Sequence, residues 1–445
     1  MSRARLVAII MGLCVIGDSM LYVTLPPSFQ QLGLDATTTG LILSVNRFSR
    51  LAFNPLAAVV ILRLGYRKTA TLASCLAVVC TAGYAVASTA PVWLALRVVW
   101  GLVWSLIRLV AFLVTLEECT QASKGQALGT MQRLVRIGST SGTLGGGLLL
   151  DHIGFRNTSA LFGAVTVLAV FLAMSLKDRP AGGDSSPGAA AGVGTAAGRG
   201  AARETGVASG AGVASGSVPA GNVAARPKWR ERVAGLGRAV VVGLPVYASA
   251  LGVAIAVGGV FLSTVGVMLK ARFGDAAAYS FMGIALGVGS VAGFMQSFRR
   301  LSDIVLSPYV GRLSDRVGRS APMAAILGVE FLAGWVLLGS SSLPAVIAAG
   351  IVLFSAHSAV LVVLSSAAAD YGRERGAATP MTIYSTCLDA GDAVGPVFAY
   401  SLLGFGIDKS YGVGVAIVGL MALVWSMRVV WSGRRRRAGG AGPAA

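Results

Sequence analysis

Apolar residues in this chain come in long runs. Twelve windows of about 20 mainly apolar residues, the length a membrane helix needs, cover approximately 6–27, 39–62, 69–88, 91–116, 126–150, 157–176, 240–269, 277–301, 321–339, 344–366, 379–403 and 411–431. The connections between them are mostly short, which predicts antiparallel neighbours. No alternating strand pattern occurs, which argues against a β-barrel. Composition agrees: 55% of residues are hydrophobic and 12% charged, where a soluble domain carries about 25% charged residues. A surface so poor in charge needs a lipid solvent. The expected fold is an all-α integral membrane protein with twelve transmembrane helices.

One stretch departs from this pattern. From 177 to 238 the chain turns Gly/Ala/Ser-rich, as in "AGGDSSPGAAAGVG", with almost no large apolar residues. Such a segment cannot bury enough surface to offset its ordering entropy, so it reads as a disordered cytoplasmic linker. Its basic end, "RPKWRERVAGLGR", suits a short helix on the membrane surface. The linker separates a six-helix bundle at 1–176 from a second at 239–431, which a basic tail at 432–445 follows. A shift of 253 positions relates the two bundles. "NPLAAVVILRLGYRK" at Asn54 falls on "SPYVGRLSDRVGRS" at Ser307, Pro91 on Pro344, and Gly138 and Gly142 on Gly391 and Gly395. Agreement of three helices in one register predicts two pseudo-symmetric halves in the same orientation, related by an axis along the membrane normal.

The net charge of +19 invites a nucleic-acid partner, but its placement argues against one. An even number of spans puts both termini on one side. That side receives Arg3, Arg5, Arg63, Arg67, Lys68, the linker, Arg312, Arg316, Arg319, Arg373, Arg375 and Arg434 to Arg437; the other holds little beyond Arg156, Lys270, Arg272 and Lys409. This positive-inside bias places both termini in the cytoplasm of a cell membrane, with the tail on anionic lipid headgroups. The N-terminal run contains Asp18 and lacks a small-x-small cleavage site, so it reads as a retained first helix. The five cysteines fall in no metal-ligand or disulfide spacing. No metal site, nucleophile–base pair or phosphate loop is apparent, so neither an enzyme nor a bound cofactor is expected.

The stretch "GRLSDRVGRS", between spans 8 and 9, is polar and glycine-punctuated amid apolar flanks. With Gly311, Asp315, Arg316, Gly318 and Arg319 it resembles the signature loop of the major facilitator superfamily. The copy between spans 2 and 3 keeps Arg63, Gly65, Arg67 and Lys68 but has Ala58 for the glycine and Leu62 for the aspartate. "LALRVVWGLVWS" resembles the family's Arg-plus-Gly motif through Arg97 and Gly101. "GDSMLYVTLPP" resembles the signature of its proton-coupled drug exporters through Asp18. "GSTSGTLGGG", with Gly138, Gly142 and Gly146, resembles its antiporter motif, with Thr143 in place of proline; the proline survives in the second copy as Pro396. The resemblance implies a twelve-helix transporter whose halves rock about a central cavity. It also implies that Gly311 to Arg319 form a latch, with Asp315 set against a helix end across the halves.

Ionisable residues at bilayer depth cost about 2.5–3.5 kcal/mol each on insertion scales and mark function by default. Asp18, near mid-depth, is the expected proton-coupling carboxyl; the alternative is a fixed ion pair with an arginine. In span 4, Trp93, Arg97, Trp100 or Gly101, Trp104 and Arg108 share one face and read as a cavity-lining stripe. Span 2 adds Arg47, Arg50 and Asn54. Arg299 or Arg300 is expected to pair with Asp303, one turn away. Arg133 and Arg136 suggest gates that Asp389 and Asp392 would bond. Glu330 and His357 read as satisfied structural groups.

The arginine surplus in the first half favours an anionic or zwitterionic small-molecule substrate. Three readings stand: a proton-coupled exporter acting as a monomer, an importer or facilitator of a small organic anion, and a transporter-like sensor or scaffold.

Overall fold

The computed structural model describes residues 2–120, 123–177, 243–274, 279–281, 284–375 and 378–439. The first two helices open on side-chain caps. Ser2 accepts from the Arg5 amide at 3.3 Å and opens α1 (Arg3–Ser28). Asp35 accepts from the Thr38 amide at 3.1 Å and opens α2 (Ala36–Val86). The bond from Thr38 favours the charged carboxylate and holds Asp35 below its usual range. Then follow α3 (Ala90–Glu118), α4 (Lys124–Met174) and α5 (Gly243–Phe273), which is π-helical over Ala254–Phe261. After α6 (Val288–Val305) and α7 (Ser307–Val317) come α8 (Ser320–Gly339), α9 (Leu343–Arg375), α10 (Ala378–Leu403) and α11 (Ile407–Gly439).

At 51 residues, α2 and α4 would each reach roughly 75 Å at 1.5 Å per residue, against a hydrocarbon core of about 30 Å. Each is therefore two spans. Gly65 (φ 74°) folds α2, and Gly154 (φ 73°) folds α4. Gly318 (φ 88°) joins α7 to α8 in the same way. Gly65 and Gly318 lie in the 253-residue register, so the repeat places two equivalent one-residue turns where only glycine is unstrained. Counting α6 with α7 as one span, the described residues supply twelve crossings in two sixes. Among the described residues, eight helices are long and apolar enough to cross a membrane by length and composition. Those short of it include α6, which carries Arg299, Arg300 and Asp303, and α10, which carries Asp389 and Asp392.

Several boundaries differ from expectation, those of spans 8 and 12 most. Span 8 does not start at 277: Tyr279–Phe281 and Ile284–Leu286 form a small antiparallel hairpin, and the helix begins only after the extended Gly287. The span then continues through α7, so Gly311 to Val317 are helical and not loop. At the other end, α11 runs on into the basic tail, because arginine and alanine sustain a helix beyond the apolar stretch. The linker from 178 and its basic end at 226–238 lie outside the described residues.

The glycine motifs set the packing. Gly138, Gly142 and Gly146 of α4 lie on Gly12, Ile16 and Met20 of α1, so closely that a Cβ at Gly142 would strike the Ile16 carbonyl. In the second half Gly391 and Gly395 of α10 pack on Leu251, Ala254 and Gly259 of α5. Both copies of the motif thus join the first and fifth spans of their half, as small residues in membranes do.

Candidate substrate cavity

Both helix ends joined by Gly65 share a face with Arg3, since the Arg3 and Ala4 amides donate to Glu118 at 2.9 Å and the Tyr66 hydroxyl donates to Glu117 at 2.5 Å. This is the basic face; the opposite one is the far face. The halves meet from mid-depth to the far face. Gly147 lies on Gly289, Gly293 on the Thr143 carbonyl, and Gly40 on Pro396 and Tyr400. Lys270 Nζ donates to the Pro27 carbonyl at 3.2 Å. Asp151, at the far end of the span folded at Gly154, accepts from the amides of Gly287, Gly289 and Ser290 at 2.9, 2.9 and 2.7 Å. It caps the N-terminus of α6 across the seam. This conformation is therefore closed at the far face.

At mid-depth the first half holds a buried polar knot. Arg97 Nη1 donates to Asp18 at 2.5 Å, Nε to the Ile42 carbonyl at 3.0 Å and Nη2 to the Tyr22 hydroxyl at 3.1 Å. Tyr22 in turn donates to the Leu43 carbonyl at 3.2 Å. Arg97 is 0% exposed, so its charge is answered inside the half. Asp18 is thereby the ion-pair partner of an arginine.

The span 4 stripe divides. Trp93 stacks on Tyr84 (5.3 Å, 5°), and Arg97 and Trp100 (1% exposed) are buried in helix packing, not on a cavity surface as expected. Asn54 also has a packing role: its Oδ1 accepts from Ser105 at 2.8 Å and ties span 2 to span 4. Trp104 and Arg108 remain partly exposed. The Arg50 guanidinium sits 4.8 Å over the Trp104 ring. Arg50 Nε and Trp104 Nε1 are both buried without a hydrogen-bond partner.

Across the seam, Arg47 donates to the Asp392 carbonyl and lies 3.8 Å from its carboxylate. Asp389 is within electrostatic reach of Arg50, Arg108 and Arg47. Arg136 pairs with Asp303 at 3.9 Å. Two expectations are corrected here. Asp303 pairs with the other half and not with Arg299 or Arg300 on its own helix. Asp392 bonds Arg47 and not Arg133 or Arg136; Arg133 is exposed. The seam thus sets Arg47, Arg50, Arg108, Arg136 and Arg300 against Asp303, Asp389 and Asp392, so the second half does not cancel the positive surplus.

Among the described residues, the expected latch makes no cross-half bond in this conformation. Arg319 joins Asp315 at 2.5 Å, Asp370 at 2.8 Å and the Ser314 hydroxyl at 2.7 Å, all within the second half. Asp315 is 61% exposed, Arg316 is exposed, and nothing approaches Gly311 where a Cβ would sit. Sequence reasoning missed Tyr22, Asp151 and the contact of Glu330 with His357. Tyr22 had a signal, one turn after Asp18; Asp151 had none, because its partners are backbone amides.

This arrangement, two six-span bundles closed over charged groups at one face, defines a membrane transporter and not an enzyme. The chain belongs to the Major Facilitator Superfamily, whose sequence profile matches residues 7–303. Its fold is similar to the crystal structure of the nucleoside transporter NupG (10% identity, TM-score 0.68, covering 96% of this chain and 99% of that one). It is also similar to a bacterial homologue of the human lysosomal transporter Spinster, inward-facing and unoccupied (15%, 0.67, 95% and 94%). The human organic anion transporter MFSD10 (TETRAN) is similar at 16% identity and TM-score 0.51, covering 95% and 98%. No curated protein matches the sequence.

Proposed function

We propose that the protein is a proton-coupled secondary transporter that moves a small organic solute bearing an anionic group by alternating access. One observation carries this reading: the stacked pair of Arg50 and Trp104 holds two buried N–H donors without partners, beside Arg108 and among surplus arginines. An unpaired buried donor costs about 1–3 kcal/mol. A carboxylate or phosphate satisfies both donors and neutralises Arg50, and the Trp104 edge suits a ring.

Asp389 is the natural competitor for Arg50 and Arg108. A proton on Asp389 frees these arginines for the solute, so proton and anion bind together. With the basic face in the cytoplasm of a cell membrane and protons flowing inward, that linkage drives uptake. Export is the second reading, favoured by the exporter-like signature around Asp18. One chain supplies both halves, which supports a monomer.

The test is flux into liposomes of labelled organic anions, zwitterions and cations of matched size, under imposed pH gradients of either sign. We expect anion flux that follows the proton gradient and falls at least tenfold in Arg50→Gln with folding retained. Flux of cations alone, indifferent to Arg50→Gln, overturns the anion reading.

A further inference from the structure

The two groups that read as isolated in the sequence lie together. Glu330, midway along α8, is 0% exposed, and His357, midway along α9, is 3% exposed. His357 Nδ1 stands 3.3 Å from Glu330 Oε1, at ion-pair distance but off the line of a hydrogen bond. Neither Glu330 oxygen nor Nδ1 has another hydrogen-bond partner. A packing pair would be expected to bond squarely. This one keeps open valences at the depth where they cost most.

We infer that Glu330 and His357 form a single proton-binding site, separate from the Asp18–Arg97 knot, that takes up a second proton beside the one on Asp389. A buried pair of one carboxylate and one imidazole is neutral when it shares one proton and carries a charge of −1 when it holds none. Low dielectric favours the neutral form. Loading therefore takes one H⁺ from water, and unloading returns one H⁺ to water. No bond to the solute forms or breaks.

The surroundings supply the control. From α6, Arg299 is the cation that bears on His357. Its backbone carbonyl accepts from Ser358 at 2.8 Å, and Ser302 bonds Ser355 at 2.8 Å, so α6 and α9 are fastened side by side at this level. From α10 the nearest titratable hydroxyl, Tyr384, is committed to the Leu361 carbonyl at 3.3 Å. The stretch of α11 that packs beside α8, residues 412–427, contains no titratable group. From α7, the charges of Arg312, Asp315 and Arg316 lie towards the basic face. Arg299 thus acts on the pair from the helix that also carries Arg300 and Asp303 to the seam. An anion in the seam offsets its charge and favours the loaded pair. Loss of the anion restores that charge and favours release.

The inference rests on the proton-coupled reading only for its role in transport; the binding of the proton is measured directly. The chain has two histidines, so His152→Gln leaves His357 alone. In this background we expect the ¹⁵N-labelled His357 ring to titrate between about pH 5 and 9. With one proton on the pair, that midpoint is an imidazolium-to-imidazole change if the proton rests on His357, or a small shift of a neutral ring with loss of a protonated-carboxyl infrared band, absent in Glu330→Gln, if it rests on Glu330. Glu330→Gln and Arg299→Gln should move the His357 midpoint in opposite directions, each at least tenfold in proton concentration. If Glu330→Gln does not fold, Arg299→Gln alone carries the test. A ring and a carboxyl that stay unchanged over the range, or a midpoint indifferent to Arg299→Gln, overturn the inference even if transport follows the pH gradient. A pair that titrates as expected while transport ignores the gradient leaves the site standing and removes the proton-driven reading.

Discussion

Asp151→Asn should open the far face. In the closed conformation the Asp151 carboxylate accepts three amide bonds at 2.7–2.9 Å from the first turn of α6, across the seam. Asparagine keeps the shape but loses the charge and half the acceptor capacity. A charge at a helix N-terminus is worth about 0.3–1 kcal/mol when exposed and up to about 2 kcal/mol when partly buried. Asp151 is exposed while two of its three bonds are partly buried, so we take about 1–1.4 kcal/mol. That shifts a two-state ratio by about fivefold to tenfold. The probe is Val23→Cys, in a background with the five native cysteines replaced. Val23 is fully buried and faces Gly293 of the other half. Maleimide should label it about five to ten times faster in Asp151→Asn, and the gap should narrow at about 1 M salt, where the Debye length is about 3 Å. Equal labelling, with the variant folded, refutes Asp151 as a far-face latch.

Two further outcomes follow from packing. Asp18→Asn strands Arg97 without its anion, and breaking a buried pair costs about 3–5 kcal/mol; melting in detergent should drop sharply, and Asp18→Asn with Arg97→Gln should recover part of the loss. A double variant no more stable than the single one counts against a structural knot. Gly142→Ala drives a methyl into the Ile16 carbonyl and should destabilise the first half, while Gly129→Ala, with open space around it, should be neutral or stabilising; equal melting of the two would deny the close approach.

What the sequence disclosed and what it withheld divide along a physical line. Spans are written as runs of apolar residues, and the repeat is written as a register, so Gly65 and Gly318 pair from the sequence alone. The glycines of α4 and α10 were legible as contacts for the same reason. Partners were not legible. Asp303 sits one turn from two arginines on its own helix, yet it turns to Arg136 of the other half. Helix rotation about its own axis decides this, and rotation is set by packing on all sides. Trp100 and Trp104 are one turn apart on one stripe, yet only Trp104 meets the seam, because span 4 is gripped by its neighbours around Arg97. Glu330 and His357 looked solitary because their contact crosses two helices.

The stretch Gly311 to Ser320 completes the argument about gates. The far face is held by an aspartate on a helix N-terminus, the chemistry that the family resemblance led us to expect of Asp315. In this conformation Asp315 spends its charge on Arg319, an exposed pair worth about 0–1 kcal/mol. If Asp315 latches the basic face in the opposite conformation, it stabilises a state that Asp151 opposes. Asp315→Asn should then slow labelling of Val23→Cys by the same fewfold factor by which Asp151→Asn speeds it, since each variant weakens one end of the same equilibrium. The two sites lie at opposite faces and share no partner, so their effects should add to within about 0.3–0.5 kcal/mol, and the double variant should label at nearly the parental rate. Labelling in Asp315→Asn that is unchanged or faster would make the Asp315–Arg319–Asp370 cluster a clasp within the second half, with the basic face closed by some other contact.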